Sequence, residues 1–129
     1  MEYLFLLGRI LLGGYFIKNG YNHLKNLNML TGYAQSKGVP MPKIAVFVTG
    51  LMLLFGGLGI LLGVYVQLSI LLLVVFLLIT TFKMHQYWTV TDPMQRMGEH
   101  VNFYKNLGLL GAVLMLLAIP LPWVLSLVW

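Results

Sequence analysis

No cysteine occurs in the chain, and only three of its 129 residues are acidic. The first absence removes thiol–disulfide chemistry, Cys-ligated zinc and iron–sulfur clusters. The second leaves three carboxylates, Glu2, Asp92 and Glu99. Charged residues of both signs make up 9% of the chain, against roughly 25% in an average soluble domain. The opening "MEYLFLLGRI" has neither a basic n-region nor a small-residue cleavage site, so it does not read as a signal peptide.

What is abundant is apolar surface. Hydrophobic residues make up 60% of the chain and the mean hydropathy is +0.89. A single domain of this length cannot hide that much from water, so the chain reads as an integral membrane protein. The eight Lys and Arg flank apolar runs, which fits orientation against a bilayer and gives no case for nucleic acid.

A helix needs about 20 residues to cross a bilayer. Four runs qualify, at roughly 3–21, 44–62, 64–82 and 103–121. The expected fold is all-α, an integral membrane four-helix bundle forming one domain over 1–129. The first connection places Leu27, Leu30 and Ala34 at helical spacing, with Gly38 as a stop and Pro40 and Pro42 leading into the next helix. It reads as an amphipathic segment after the first span. A tight turn is expected at Gly63. In the third connection Asp92-Pro93 fits a helix start, with Gly98 ending a short turn and the last span beginning near Glu99.

Lys18, Lys25, Lys37, Lys43, Lys83, Arg96 and Lys105 lie in or beside the first and third connections, on one side of a four-span topology. The positive-inside rule puts these connections in the cytoplasm and both termini outside. Aromatic residues mark both interfaces, Tyr87, Trp88 and Tyr104 on one side and Tyr3, Tyr65 and Trp129 on the other.

Three helices carry polar groups toward the basic side. Asn19, His23 and Asn26 share a face of the first helix, and Glu99, Asn102 and Asn106 share a face of the last. His85 ends the third span, and Lys105 could pair with Glu99 or meet anionic headgroups. Asn19, His23, His85, Glu99, Lys105 and Asn106 are therefore candidate ligand-binding residues: a layer able to hold the polar head of an apolar ligand such as a quinone. The competing reading is an interfacial rim facing water and headgroups, since helical phase alone does not show that faces converge. The case for haem or a metal is weaker, because no histidine forms a His-x-x-x-His or Glu-x-x-His pair. No catalytic residue can be named and no cofactor follows from the residues alone.

Arg9 lies about two turns inside the other end of the first span, where charge costs a few kcal/mol unless relieved. Glu2 is a candidate partner, snorkelling another remedy, and a buried charge serving assembly a third reading. Glycines at 56, 57, 59 and 63, at 13 and 14, and at 108 and 111 offer close-packing faces.

The ordered motifs "GRILLGGYFIKNGYNHLKN", "GYAQSKGVPMP", "GLMLLFGGLGILLG", "FKMHQYW", "DP" and "EHVNFYKNLGLLGA" resemble the DoxX family of small four-span membrane proteins over nearly the whole chain. His23, His85, Trp88, Asp92, Pro93, Phe103, Lys105 and Asn106 match its recurring polar and aromatic positions. Many members have a His just before the glycine matched by Gly20; this chain has Asn19 there, so a role attached to that His does not carry over. The resemblance implies a multi-pass protein of a prokaryotic cell membrane. The family takes its name from a quinone-linked thiosulfate oxidoreductase, and some members are associated with redox complexes. A redox-associated, quinone-binding subunit is therefore one expectation. The rivals are a non-catalytic assembly subunit with partner membrane proteins or further copies of itself, and a small lipophilic-molecule transporter. The lipid bilayer is a partner in all three.

Overall fold

The computed structural model describes residues 1–127, so the interfacial role expected of Trp129 lies outside the described residues. Within them all regular structure is helical. The five α-helices are α1 (Glu2–Lys25), α2 (Leu27–Ser36), α3 (Pro42–Leu62), α4 (Val66–Met84) and α5 (Pro93–Met115). Short 3-10 turns follow α4 at Tyr87–Thr89 and α5 at Leu116–Ala118.

The boundaries have local causes. The amphipathic segment is α2, which buries Ala34 and ends ahead of Gly38, whose φ of 76° suits a residue without a side chain. Pro42 opens α3, and Gly63 at φ 71° closes it by donating its N–H to the Gly59 carbonyl. Asp92 caps α5, its carboxylate accepting from the Gln95 N–H at 3.0 Å. The helix then runs unbroken through Gly98, contrary to the expected stop there. A glycine inside a helix costs only about 1 kcal/mol, too little to end one that is well started. The last helix therefore begins ten residues before the expected 103 and ends at Met115 rather than 121. Pro120 and Pro122 keep the chain from continuing it.

Among the described residues three stretches are long and apolar enough to cross a membrane: Pro42–Leu62, Val66–Thr89 and Pro93–Ala118. With 24 residues α1 has the length of a span, about 36 Å. Its apolar content is diluted by Glu2, Arg9, Lys18 and Lys25.

Successive long helices pack together, α1 on α3, α3 on α4 and α4 on α5, with α2 laid against α3. Phe16, Leu53, Ile60, Leu73, Leu77 and Val113 form the shared core. Small residues set the α1–α3 spacing. A methyl on Gly13 would stand 2.8 Å from the Gly57 carbonyl oxygen, and one on Gly20 2.7 Å from that of Gly50. These two pairs, seven residues apart on each helix, let the antiparallel backbones touch. Gly56 and Gly59 do the same against Leu73 and Ser69 of α4, whereas Gly14, Gly108 and Gly111 face open space.

Arg9 is only 2% exposed. Its guanidinium donates to the carbonyls of Ile60 (3.1 Å), Leu61 (2.9 Å), Val124 (2.6 Å) and Leu125 (3.4 Å), and lies 5.6 Å from the ring centres of both Phe5 and Trp123. The charge thus sits at the carbonyl-rich end of α3, where the helix dipole favours a cation. It also binds the returning C-terminal tail. Glu2 is not its partner among the described residues.

Two predictions follow from this packing. Gly20→Ala and Gly57→Ala should each destabilise the protein by about 1–3 kcal/mol through overpacking. Gly108→Ala and Gly111→Ala should be neutral or stabilising within about 1 kcal/mol; thermal unfolding in detergent distinguishes the sets. By the same assay Arg9→Met should cost about 2 kcal/mol or more, because it strands buried carbonyls.

Candidate functional site

At the basic end the helices form a half-open cavity of about 690 Å³, within the range of small-molecule sites. Its walls come from α1 to α4 and α5 closes one side. Leu30, Ala34, Val46, Phe76 and Ile79 give it an apolar lining. Asn19 and His23 from α1, Lys83 and His85 from the end of α4, and Lys105 and Asn106 from α5 supply the polar part. The candidates Asn19, His23, His85, Lys105 and Asn106 thus line one half-open cavity, and Glu99 stands behind His85.

Glu99 organises this end of the molecule. It is 9% exposed, and a carboxylate so placed needs partners. Oε1 accepts from the Tyr33 hydroxyl at 2.7 Å, and Oε2 lies 3.1 Å from His85 Nδ1 and 3.5 Å from Lys37 Nζ. One side chain therefore joins α2, the end of α4 and α5. Burial, the bond to Glu99 and the charge of Glu99 all raise the Tyr33 hydroxyl above the ordinary phenol range, so it remains a donor at physiological pH. Lys37, one turn beyond Tyr33, takes the ion pair that the sequence offered to Lys105. Neither Tyr33 nor Lys37 stood out in the sequence. The signal that could have found them is their i, i+4 spacing on an amphipathic helix, in a chain with very few acids.

The remaining polar groups are used unevenly. His23 Nδ1 lies 3.2 Å from the Val46 carbonyl and 3.3 Å from the Thr49 hydroxyl, and its ring meets Phe76 edge-on. The histidine is thereby held against α3. Asn26 turns away to hydrogen-bond Asn22. His100 is exposed and stacks with Tyr87 and Tyr104, outside the cavity. Asn106 differs from these in its surroundings: it is only 6% exposed and lines the cavity, whereas the buried polar atoms without a hydrogen-bond partner among the described residues are Thr81 Oγ1 and Trp123 Nε1. Among the described residues no three His, Asp or Glu side chains gather as a metal site would require.

The chain is thus a helical multi-pass membrane protein whose apolar cavity has a polar, basic end. It belongs to the DoxX family. The family model described as DoxX matches residues 4–86, from the start of α1 to just past His85. The chain is also 32% identical over 125 residues to the inner membrane protein YphA of Escherichia coli (strain K12), a match covering 96% of this chain and 87% of that protein. No solved structure matches it.

Because the chain lacks cysteine, a single introduced thiol reports on α2 directly. Ala34→Cys, at a position 4% exposed, should react slowly with a maleimide. Adding Glu99→Ala or Tyr33→Phe should speed the reaction about tenfold, since losing a buried hydrogen bond costs about 1–3 kcal/mol. An unchanged rate would show that Glu99 does not hold α2 down.

Proposed function

We propose that the cavity binds a lipophilic ligand, its polar head beside His85 and Asn106 and its tail along Phe76, Ile79 and Val46. One observation carries this reading: a carboxylate–imidazole pair ends an apolar cavity that the Asn106 carboxamide also lines. With Nδ1 of His85 committed to Glu99, Nε2 is the ring nitrogen left to meet a ligand. In the neutral ring Nδ1–H donates to Glu99 and Nε2 is left as an acceptor, able to receive a ligand hydroxyl or take up a proton that the ligand releases. A quinone suits such a site, and the protein would then serve as a quinone-binding subunit in a redox assembly.

In this reading α1 is a fourth span, its charges relieved by Arg9's carbonyl contacts at one end and by the basic interface at the other. The chain forms one domain in a bacterial inner membrane, with the basic end and cavity cytoplasmic and both termini outside. YphA, described as an inner membrane protein, supports the membrane assignment. A second reading, an assembly subunit, is favoured by the glycines of α1 and α5 that face open space, Gly14, Gly108 and Gly111. Bare glycines on membrane helices suit a partner helix, from another protein or a second copy.

In lipid nanodiscs a short-chain ubiquinone analogue should bind saturably, and His85→Ala should weaken it about tenfold, the loss of one good hydrogen bond. Absence of saturable binding, with no quinone extractable from the purified protein, would remove the quinone reading. Recovery of a fixed membrane partner under mild detergent would then support the assembly reading.

A further inference from the structure

The charge around the cavity narrows what its polar end selects. Lys83 and Lys105 both line it, and neither has a carboxylate within ion-pair distance among the described residues. No acid lines the cavity at all. The chain's three carboxylates are accounted for elsewhere: Glu2 opens α1 at the opposite end, Asp92 caps α5, and Glu99 is held by Tyr33, His85 and Lys37. The Lys83 ammonium lies at the Gly38 turn, 3.7 Å from where a methyl on that glycine would sit, so it is drawn to the rim. Beside it begins α3, whose first turn lines the cavity through Ala45. The Met41 side chain does not cap that turn, so the first N–H groups of the helix are not taken up by it. The Asn106 carboxamide completes the arrangement as a cavity-lining group able to donate.

We propose that the cavity prefers a single-chain amphiphile with an oxyanion head, a fatty carboxylate or an acyl-chain phosphate, over a neutral lipophile of equal tail length. The two lysines and the start of α3 attract the charge, Asn106 donates to one head-group oxygen, and the chain lies along Phe76 and Ile79. This rests on the cavity being a ligand site and adds the sign of the head group. A neutral quinone can enter the same cavity, but it leaves both ammonium groups without a counter-charge. Glu99 has a further consequence here. By holding its negative charge in bonds to α2, it leaves the cavity's lysines free for the ligand.

The test uses the full chain in nanodiscs of neutral phosphatidylcholine. Palmitate, its methyl ester and a palmitoyl lysophosphatidate are titrated by displacement of a fluorescent fatty acid. Both anions should bind at least tenfold tighter than the ester at low salt. That margin should shrink several-fold in 0.5 M salt, as expected for partly exposed charges. Lys83→Gln with Lys105→Gln should abolish the margin and leave ester affinity unchanged. Lys25→Gln with Arg96→Gln removes the same formal charge away from the cavity and should preserve it. Preference for carboxylate over phosphate, or the reverse, identifies the head group and supports the proposal either way. Equal binding of acid and ester, insensitive to the two lysines, overturns the oxyanion preference while the ligand cavity stands. Absence of binding by all probes, in the wild type and in the cavity-filling variant Ala45→Trp alike, overturns both.

Discussion

A carboxylate taken out of water must be met by donors, and Glu99 meets that requirement with three groups from separate parts of the chain. Tyr33 and Lys37 come from α2 and His85 from the end of α4, while Glu99 itself stands on α5. The cavity depends on this junction. Without it nothing polar would hold α2 over the opening between α1 and α4, and His85 would have no fixed tautomer to present. The cost of burying one acid is what brings the connections of an otherwise apolar bundle into register.

The two ends of the molecule handle charge differently. At the end away from the cavity, Arg9 is satisfied entirely by carbonyls and flanked by the Phe5 and Trp123 rings. It closes that end by tying α1, α3 and the tail together. Between the two ends, the Gly13–Gly57 and Gly20–Gly50 approaches bring α1 and α3 into backbone contact. That contact places His23 beside Val46 and Thr49 and fixes the α1 wall of the cavity. Charge therefore works at the ends and small residues in the middle.

Much of this was legible from residue pattern. Apolar runs at helical length, Asp92 before Pro93, Gly38, and the glycine faces of α1 and α3 each carry a local signal, and helices formed over those runs, the last displaced from 103–121 to Pro93–Met115. The break expected at Gly98 did not form, because a local glycine penalty is smaller than the gain from extending a capped helix. The partners of Arg9 and Glu99 could not be read, since both lie far along the chain on elements whose relative placement only packing decides. His23, His85 and Asn106 were suggested by helical phase. That their faces converge on one cavity depends on how α1 and α5 are spaced around α4, which periodicity does not encode.

The central claim is that the basic end encloses a ligand rather than forming an open rim. Native mass spectrometry of the protein released gently from its membrane tests this most directly. The account predicts one retained small molecule per chain, lost when Ala45→Trp fills the cavity and kept when an exposed lipid-facing residue such as Leu71 is replaced by Trp. An adduct pattern identical in all three proteins, or none in any, would contradict it.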